Sequence, residues 1–287
     1  MNNVEKFINE LVREGKSINT VLAYRTDIEQ FKKWLCNMFG TETDTDSIKK
    51  EYIKQYILYM NIYQKRTVNT INRKIKSIVQ YIKFLNKTKV SNIIVNITEF
   101  KLKNVNNPIK KIDKQDLYKL KRTIYANGNK RDILIYELLM NTAIKCSELI
   151  NINKSDISLT DMKLKNKYSY VDIKASKYIK NRRIELNKDV VTAITEYLEV
   201  RPLSEDDILL QGQRGPLTRL AINKILQVYS RQCTIKLVTP NMIRDTSLME
   251  MLESGMDLEI VAKIAGHISR ESTSKYDVDV ESHVQIK

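Results

Sequence analysis

Apolar residues in the first hundred positions recur at the three- and four-residue spacing of amphipathic helices. Two stripes show this spacing, one made of Val21, Tyr24, Ile28, Phe31 and Leu35 and the other of Ile71, Ile75, Ile78, Ile82 and Leu85. Similar patterns predict helices over about residues 3–14 and 47–62, and Ser17 offers a weak N-cap for the second helix. Residues 1–88 are therefore predicted to form a small all-helical domain.

The hydrophobic period is lost between residues 87 and 112, where the chain becomes polar and basic and contains Pro108. Such a composition is typical of a connection between domains. We therefore predict a linker over residues 89–112, with the boundary near Pro108.

Helical periodicity returns after the linker and continues to about residue 153. Residues 168–186 then alternate β-branched and aromatic positions around a polar turn, which predicts a small antiparallel hairpin. Further helices are predicted over about 188–200, 217–231, 241–254 and 257–265, separated by glycines and prolines. Residues 113–287 thus form a second domain that is mainly α with a small antiparallel sheet.

The charge balance adds a candidate partner to this two-domain picture. The formal net charge is +15, from 49 Lys and Arg against 34 Asp and Glu spread along the chain, which favours a nucleic acid over a solvated basic surface as the explanation. In the first domain, basic residues lie opposite the apolar stripes and could follow a DNA backbone, although solvent-exposed faces are the alternative. The DNA-contact candidates there are Arg25, Lys33, Arg66, Arg73 and Lys74.

Other patterns restrict the class of protein. No uninterrupted apolar span or secretory signal is evident, so we expect a cytoplasmic protein that is not inserted in a membrane. Three widely spaced cysteines fit reduced thiols and match neither a disulfide framework nor a zinc cluster. No metal site is predicted.

The candidate chemistry lies near the carboxyl end. From Thr239 the chain reads Thr-Pro-Asn-Met-Ile-Arg-Asp-Thr, with Arg244 as its arginine; Gly266-His267 follows a helix pair, and Tyr276 comes nine residues after that histidine. This order resembles the tyrosine recombinase (phage integrase) family, which carries Thr-Pro-His-x-x-Arg-His, a Gly-His pair and a nucleophilic tyrosine at the same spacing.

The resemblance extends upstream. The segment from Leu138 to Leu149 resembles the family's first box, Thr-Gly-Leu-Arg leading into Ser-Glu-Leu, with Lys145 at the position of the arginine. The basic turn of the predicted hairpin resembles the one that carries the family's catalytic lysine; Lys177 is the assignment and Lys180 the rival. Residues 17–35 resemble a core-binding domain. The hairpin residues predicted to contact DNA are Lys180, Arg182 and Arg183.

The resemblance implies a role for each candidate catalytic residue. Arg244, His267 and Lys145 would stabilise the charge that develops on a phosphodiester. Tyr276 would attack the phosphorus and form a 3′-phosphotyrosyl link, and Lys177 would protonate the departing 5′ oxygen. Because the covalent link stores the phosphodiester energy, strand joining needs neither a metal nor a nucleotide cofactor.

Three positions depart from the family pattern. Lys145 keeps a positive charge but loses the planar fork of arginine, and this exchange is not conservative at a phosphate site. Asn241, where the family has histidine, donates a hydrogen bond but does not take up a proton near neutral pH. Asp245, where a histidine is frequent, adds negative charge. These changes permit a slow recombinase, an engineered variant, or a protein that binds its site without cutting.

The implied partners are double-stranded DNA with an inverted-repeat core site and further copies of the chain, two per site and four per synapse. Accessory DNA-binding proteins are compatible with such a system. A transposon-encoded resolvase or integrase is the favoured role over a chromosome-dimer resolution enzyme. The competing hypotheses are a catalytically weakened or inactive recombinase-fold DNA-binding protein, a topoisomerase with the same tyrosine chemistry, and, disfavoured for want of an evident carboxylate triad, a metal-dependent transposase.

Overall fold

The computed structural model describes residues 2–40, 48–103, 109, 111–160, 168–174, 181–267, 271–274 and 276. The chain divides into two compact units, Met1–Asn107 and Pro108–Lys287. The division falls inside the predicted linker.

The N-terminal unit is built from helices. They are α1 (Asn3–Arg13), α2 (Ile18–Phe39), α3 (Lys50–Leu58), which continues into a π-helical turn (Tyr59–Tyr63), α4 (Val68–Lys87) and a short 3-10 turn (Ile97–Glu99). The side chains of Asn2, Ser17 and Thr67 accept backbone N–H groups at the starts of α1, α2 and α4, which satisfies donors that a helix leaves unpaired. Both predicted apolar stripes enter one core, in which Tyr24 is the partly buried member.

Part of the predicted linker packs on this helical unit. Val95 and Phe100 are buried in its core, and Leu102 exchanges two 2.9 Å backbone hydrogen bonds with the Asn72 side chain of α4. Residues 90–102 contain further apolar residues, three of them consecutive at 93–95, but they do not sustain a long helical period, so the pattern did not predict this packing. The packed structure of the unit extends to about residue 103.

The C-terminal unit is mainly helical with a small sheet. Its helices are α5 (Lys114–Asn127), α6 (Lys130–Thr142), α7 (Cys146–Leu149), α8 (Lys188–Val200), α9 (Arg219–Gln232), α10 (Pro240–Glu253), α11 (Leu258–Ala265) and α12 (Glu271–Ser274). The strands β1 (Ile157–Ser158), β2 (Tyr170–Ile173) and β3 (Arg182–Glu185) form an antiparallel sheet in that order, and β4 (Gln211–Gly212) pairs with β5 (Gly215–Pro216).

Helix α6 runs through the middle of this unit. Its residues from Asp132 to Leu139 are all buried, and it packs against α8 and α10. Helix α10 also packs against α11, whose end lies beside α12 and β3. Because of this packing, the segments that carry the candidate residues meet at one side of α10.

The structure confirms the predicted fold class, a helical N-terminal domain and a mostly helical C-terminal domain with a small antiparallel sheet. Within the described ranges, none of the helices combines the length and apolar character that a bilayer crossing requires.

Candidate active site

The turn between α6 and α7 forms one wall of the candidate site. Helix α6 ends at Ala143 in the left-handed conformation (φ 48°), and Lys145 then begins α7 as its N-cap. The Glu148 carboxylate accepts the Lys145 backbone N–H at 2.8 Å. In this turn the carbonyl oxygen of Ala143 faces α10 and accepts a hydrogen bond from the guanidinium of Arg244.

Arg244 is the buried cation of the site. Its guanidinium donates to the carbonyl oxygens of Ala143 and, at 2.8 Å, Ala265, and it lies 3.1 Å from His267 Nε2. Burial lowers the pKa of Arg244, which still far exceeds neutrality in any protein setting, so the group stays charged. Arg244 thus joins α6, α10 and α11 through one fixed positive charge.

His267 is held at the end of α11 by a left-handed glycine, Gly266 (φ 64°). Because arginine only donates hydrogen bonds, His267 Nε2 accepts from Arg244. A neutral ring then carries its proton on Nδ1, which donates to Thr273 Oγ1 at 2.9 Å. Arg244 and Thr273 therefore fix both the orientation and the tautomer of this imidazole.

Tyr276 lies in the same pocket, 3% exposed. Its ring is parallel to the His267 ring, with 6.1 Å between centroids, and its hydroxyl donates to Asp245 Oδ1 at 2.7 Å. Burial, then the hydrogen bond and charge of Asp245, raise the pKa of the phenol well above its usual range, against an opposing effect of Arg244. The phenol is therefore protonated in this arrangement.

A buried ion pair between Arg182 and Glu148 lies next to the pocket. Arg182 on β3 donates to both carboxylate oxygens of Glu148, at 3.0 and 2.8 Å, and to the Ile264 carbonyl at 2.8 Å. A Cβ atom at Gly266 would lie 2.8 Å from the Arg182 guanidinium, so this close approach requires glycine. Arg182 was predicted as a DNA contact; its guanidinium instead links β3, α7 and α11.

Lys145 faces this group of charges and is half-buried. Burial lowers its pKa, and Arg244 and Arg182 add to that effect while Glu148 opposes it. The structure thus places the lysine beside Arg244, where the family pattern has its first arginine.

The remaining catalytic candidates are Asn241 and Lys177. Asn241 is exposed in the first turn of α10, and its side chain makes no hydrogen bond with the described residues. Lys177, the predicted general acid, and its rival Lys180 lie outside the described residues.

The basic candidates of the N-terminal unit differ in how free they are. Arg25 pairs with Glu5 through two hydrogen bonds of 2.6 and 3.0 Å. Lys33 is exposed and forms no ion pair within the described part of the chain, and Arg66 is exposed with its Nε bonded to Gln64. Lys33 and Arg66 thus keep the surface position that a phosphate contact needs.

The other two basic candidates of the N-terminal unit, Arg73 and Lys74, both lie close to Asp27. Its buried carboxylate accepts from both terminal nitrogens of Arg73, at 2.5 and 2.8 Å, and from Ser77. Lys74 departs from the prediction, because its side chain is 6% exposed and its ammonium donates to Gln30 and lies 3.7 Å from Asp27. The Lys74 ammonium therefore lies almost entirely inside the helical unit, and its contact with DNA stays a prediction.

Arg183 lies on the exposed side of β3. It forms two 2.9 Å hydrogen bonds with Asp172 and lies 3.6 Å above the Tyr170 ring. Unlike Arg182, it remains at the surface, and its contact with DNA stays a prediction.

Sequence reasoning left several functional contacts unassigned. The Ser-Glu-Leu motif marked Glu148, yet its partner Arg182 is 34 positions away and had been given another role. Asp245 was noted only as extra negative charge, and Thr273 carried no signal at all. Each of these contacts depends on how distant elements pack.

Comparison with known proteins identifies relatives along nearly the whole chain. Residues 110–283 match the model of the phage integrase family, and residues 4–89 match its N-terminal SAM-like domain. The TnP I resolvase of Bacillus thuringiensis is 26% identical over 283 residues, covering 96% of this chain and 95% of that protein. The tyrosine recombinase XerA of Pyrococcus furiosus is 26% identical over 291 residues, covering 98% and 91%.

A solved structure shares the fold along the full chain. The integrase of transposon Tn1549, in complex with a circular intermediate DNA, superimposes with a TM-score of 0.71 at 18% identity and full coverage of both chains. The family model alone covers more than half of the sequence and includes Arg244, His267 and Tyr276. The chain therefore belongs to the phage integrase family, the tyrosine recombinases.

Proposed function

We propose that this protein is a site-specific DNA recombinase that cleaves and rejoins DNA strands through a covalent 3′-phosphotyrosyl link on Tyr276. The observation that carries the proposal is the meeting of Tyr276, His267 and Arg244 in one pocket, although 32 positions separate the first from the last. A buried cation beside a tyrosine hydroxyl is the arrangement that attack on a phosphodiester needs.

Arg244 is the main electrostatic group of the proposed reaction. Negative charge grows on the non-bridging oxygens in the transition state, and a fixed guanidinium stabilises that charge without reorganising. Within the described residues, two of its five N–H groups have no hydrogen-bond partner and are available to a phosphate. Lys145 adds a second positive charge from the adjacent turn.

His267 needs a proton before it serves as a second donor. Its Nε2 accepts from Arg244 and its Nδ1 proton is directed at Thr273. The negative charge of an approaching phosphodiester favours the imidazolium, in which both ring nitrogens donate. His267 would then release its bond to Arg244 and donate Nε2–H to a phosphate oxygen.

The departing 5′ oxygen requires a proton in the same step, and Lys177 is the proposed donor. The phosphotyrosyl bond keeps the energy of the broken phosphodiester, so a 5′ hydroxyl from another strand can reverse the step. Rejoining in this scheme consumes neither a metal ion nor a nucleotide.

The proposed substrate is double-stranded DNA with an inverted-repeat core site in the cytoplasm, bound by two protomers per site and four per synapse. The similarity to a transposon resolvase and a transposon integrase supports service to a mobile element. The net charge of +15 supports a polyanionic partner.

A second candidate function is site-specific DNA binding without cleavage. It is favoured by the lysine at position 145, by the exposed asparagine at 241, and by the carboxylate that holds the phenol in its protonated form. The two candidates differ in whether a covalent adduct forms.

Footprinting on DNA flanking the native gene, followed by trapping on the protected site, tests the proposal. With a nick near the cleavage point, the short fragment that carries the free 5′ hydroxyl diffuses away after cleavage and cannot reverse the step. The covalent adduct therefore accumulates and is seen as a shifted band in a denaturing gel. Tyr276→Phe is expected to abolish the adduct, whereas the exposed Tyr168→Phe keeps it. If Tyr276→Phe forms as much adduct as the parent, Tyr276 is not the nucleophile.

A further inference from the structure

We propose that Asp245 is the catalytic base of this recombinase, accepting the phenol proton of Tyr276 as the phosphotyrosyl bond forms. The inference rests on the proposed function and assigns one more residue of the same site.

The geometry places the acceptor on the reacting atom. The Tyr276 hydroxyl donates to Asp245 Oδ1 at 2.7 Å, which is a typical length for direct proton transfer along an existing hydrogen bond. Asp245 follows Arg244 directly in α10. Consecutive helical residues point about 100° apart, so one turn of α10 presents the cation for the phosphate and the acceptor for the phenol.

The phenol needs a base in this pocket. Burial and the Asp245 charge raise its pKa, so phenolate is scarce near neutral pH and the proton has to leave during the attack. Asn241, one turn earlier on α10, is exposed and has no basic group.

The other charged groups around the phenol are already engaged. His267, at the end of α11, accepts from Arg244 through Nε2, and in the proposed reaction it is an imidazolium, which has no nitrogen left to accept a proton. Glu148, on α7, accepts from both terminal nitrogens of Arg182 on β3. Arg244 is a cation whose charge favours loss of the phenol proton without accepting it. Lys145, before α7, is also a cation and accepts no proton while charged. The charged or titratable groups shown next to the phenol are thus Asp245, Arg244 and His267, and Arg244 is in turn coupled to Glu148, Arg182 and Lys145.

The step balances in atoms and charge. The Tyr276 O–H bond breaks and its proton passes to Asp245, while the phenol oxygen bonds to phosphorus. The bond from phosphorus to the 5′ oxygen breaks, and that oxygen takes a proton from the general acid. Asp245 becomes neutral as negative charge builds on the phosphate oxygens facing Arg244, so the carboxylate does not oppose the transition state.

The test is the rate of adduct formation by Asp245→Asn on the nicked site. Asparagine keeps the shape and an accepting oxygen but takes up no proton, so the rate is expected to fall about 100-fold. The residual rate of Asp245→Asn should rise about tenfold per pH unit below the phenol pKa, while the parent rate rises much less. Asp245→Glu, which restores a carboxylate, should recover part of the loss.

A more acidic nucleophile separates proton removal from a structural role. Difluorotyrosine at position 276 ionises at lower pH, so it should reduce the Asp245→Asn defect from about 100-fold to under about tenfold. If Asp245→Asn were slow only because it is misfolded, difluorotyrosine would not restore its rate. A substrate with a sulfur leaving group needs no general acid, and the Asp245→Asn defect should persist on it.

Several results would overturn the inference. If Asp245→Asn cleaves at the parental rate or faster, the hydrogen bond between Tyr276 and Asp245 does not assist the attack and instead inhibits it. A defect that fluorination leaves unchanged, or that the sulfur leaving group removes, would also exclude the role. Adduct formation by the parent tests the proposed function itself, and the ratio of variant to parent tests Asp245, so the two are distinguishable.

Discussion

Arg182 and Glu148 form a bidentate ion pair, and their side chains are only 10% and 8% exposed. Removing one member of a buried pair leaves an uncompensated charge, which costs about 3 kcal/mol. Arg182→Ala is therefore expected to lower the free energy of unfolding of the C-terminal unit by about that amount, measured by urea denaturation. It should also lower adduct formation, because the carbonyl of Ile264 beside Gly266-His267 loses its donor.

The next residue in sequence provides a matched control for this prediction. Arg183 also pairs with a carboxylate, Asp172, but both side chains are about half exposed. Arg183→Ala should cost no more than about 1 kcal/mol. Equal losses for the two variants would contradict the structural role assigned to Arg182.

Acid should weaken the same ion pair. Burial alone raises the pKa of Glu148, but hydrogen bonds from Arg182 and the Lys145 N–H outweigh it and leave the pKa below its ordinary value of 4.5. A lowered folded pKa means that the unfolded chain binds more protons, so the contribution to stability is present above pH 4.5 and is lost as the pH falls below it.

Urea denaturation at a series of acidic pH values measures this effect. The parent should lose stability more steeply below pH 4.5 than Glu148→Gln, which has no carboxylate to protonate. The exposed Glu199 is a suitable control, and Glu199→Gln should follow the parent curve. Parallel curves for the parent and Glu148→Gln would contradict the prediction.

Lys145→Arg should speed up cleavage. A guanidinium offers two aligned donors to a phosphate where the ammonium is a point charge, and a hydrogen bond to a charged group contributes enough to predict about a tenfold higher rate of adduct formation. Because burial lowers the pKa of Lys145, the parent rate should also decline at alkaline pH sooner than that of the variant.

Single-turnover trapping across a pH series measures both effects. Lys154 is exposed and lies 3.9 Å from Asp207, away from the pocket residues described above, so Lys154→Arg is the control and should change neither rate nor pH profile. A Lys145→Arg variant no faster than the parent would show that the point charge suffices.

Two lysines of the N-terminal unit should differ in DNA binding. Each phosphate contact contributes about 0.9 to the slope of log affinity against log salt concentration. Lys33→Ala is expected to weaken binding and reduce the slope by about one. Lys74→Met should leave the slope unchanged, because the ammonium of Lys74 is buried against Gln30 and Asp27. The reverse order of effects would refute the surface assignment of Lys33.

The helical period predicted most of the fold because it records which side of each helix is buried. The predicted helix over 188–200 coincides with α8, Lys188–Val200, and the hairpin residues fall on β2 and β3. The packing of Val95 and Phe100 on the first core was missed, since a stretch without a sustained helical period does not reveal which of its apolar residues are buried. The burial of Lys74 was missed for a similar reason, because pattern alone does not reveal a buried Asp27 as its neighbour.

Fixed spacing brought Arg244, His267 and Tyr276 forward as candidates, and the structure places them in one pocket. Contacts between distant elements were beyond that reasoning. The engagement of Arg182 with Glu148 depends on β3 lying against α7, and the hold of Thr273 on His267 depends on the packing of α12 against α11. Spacing along the chain contains no information about either.

Neighbouring positions on α10 bear on how such an enzyme can change over time. Arg244 and Asp245 are joined by a single peptide unit, so the spacing of the two backbone positions that carry the proposed phosphate-binding and phenol-binding groups is set by helical geometry. Under the proposed roles, a single substitution at position 245 changes the group that takes the phenol proton while the arginine at position 244 is retained.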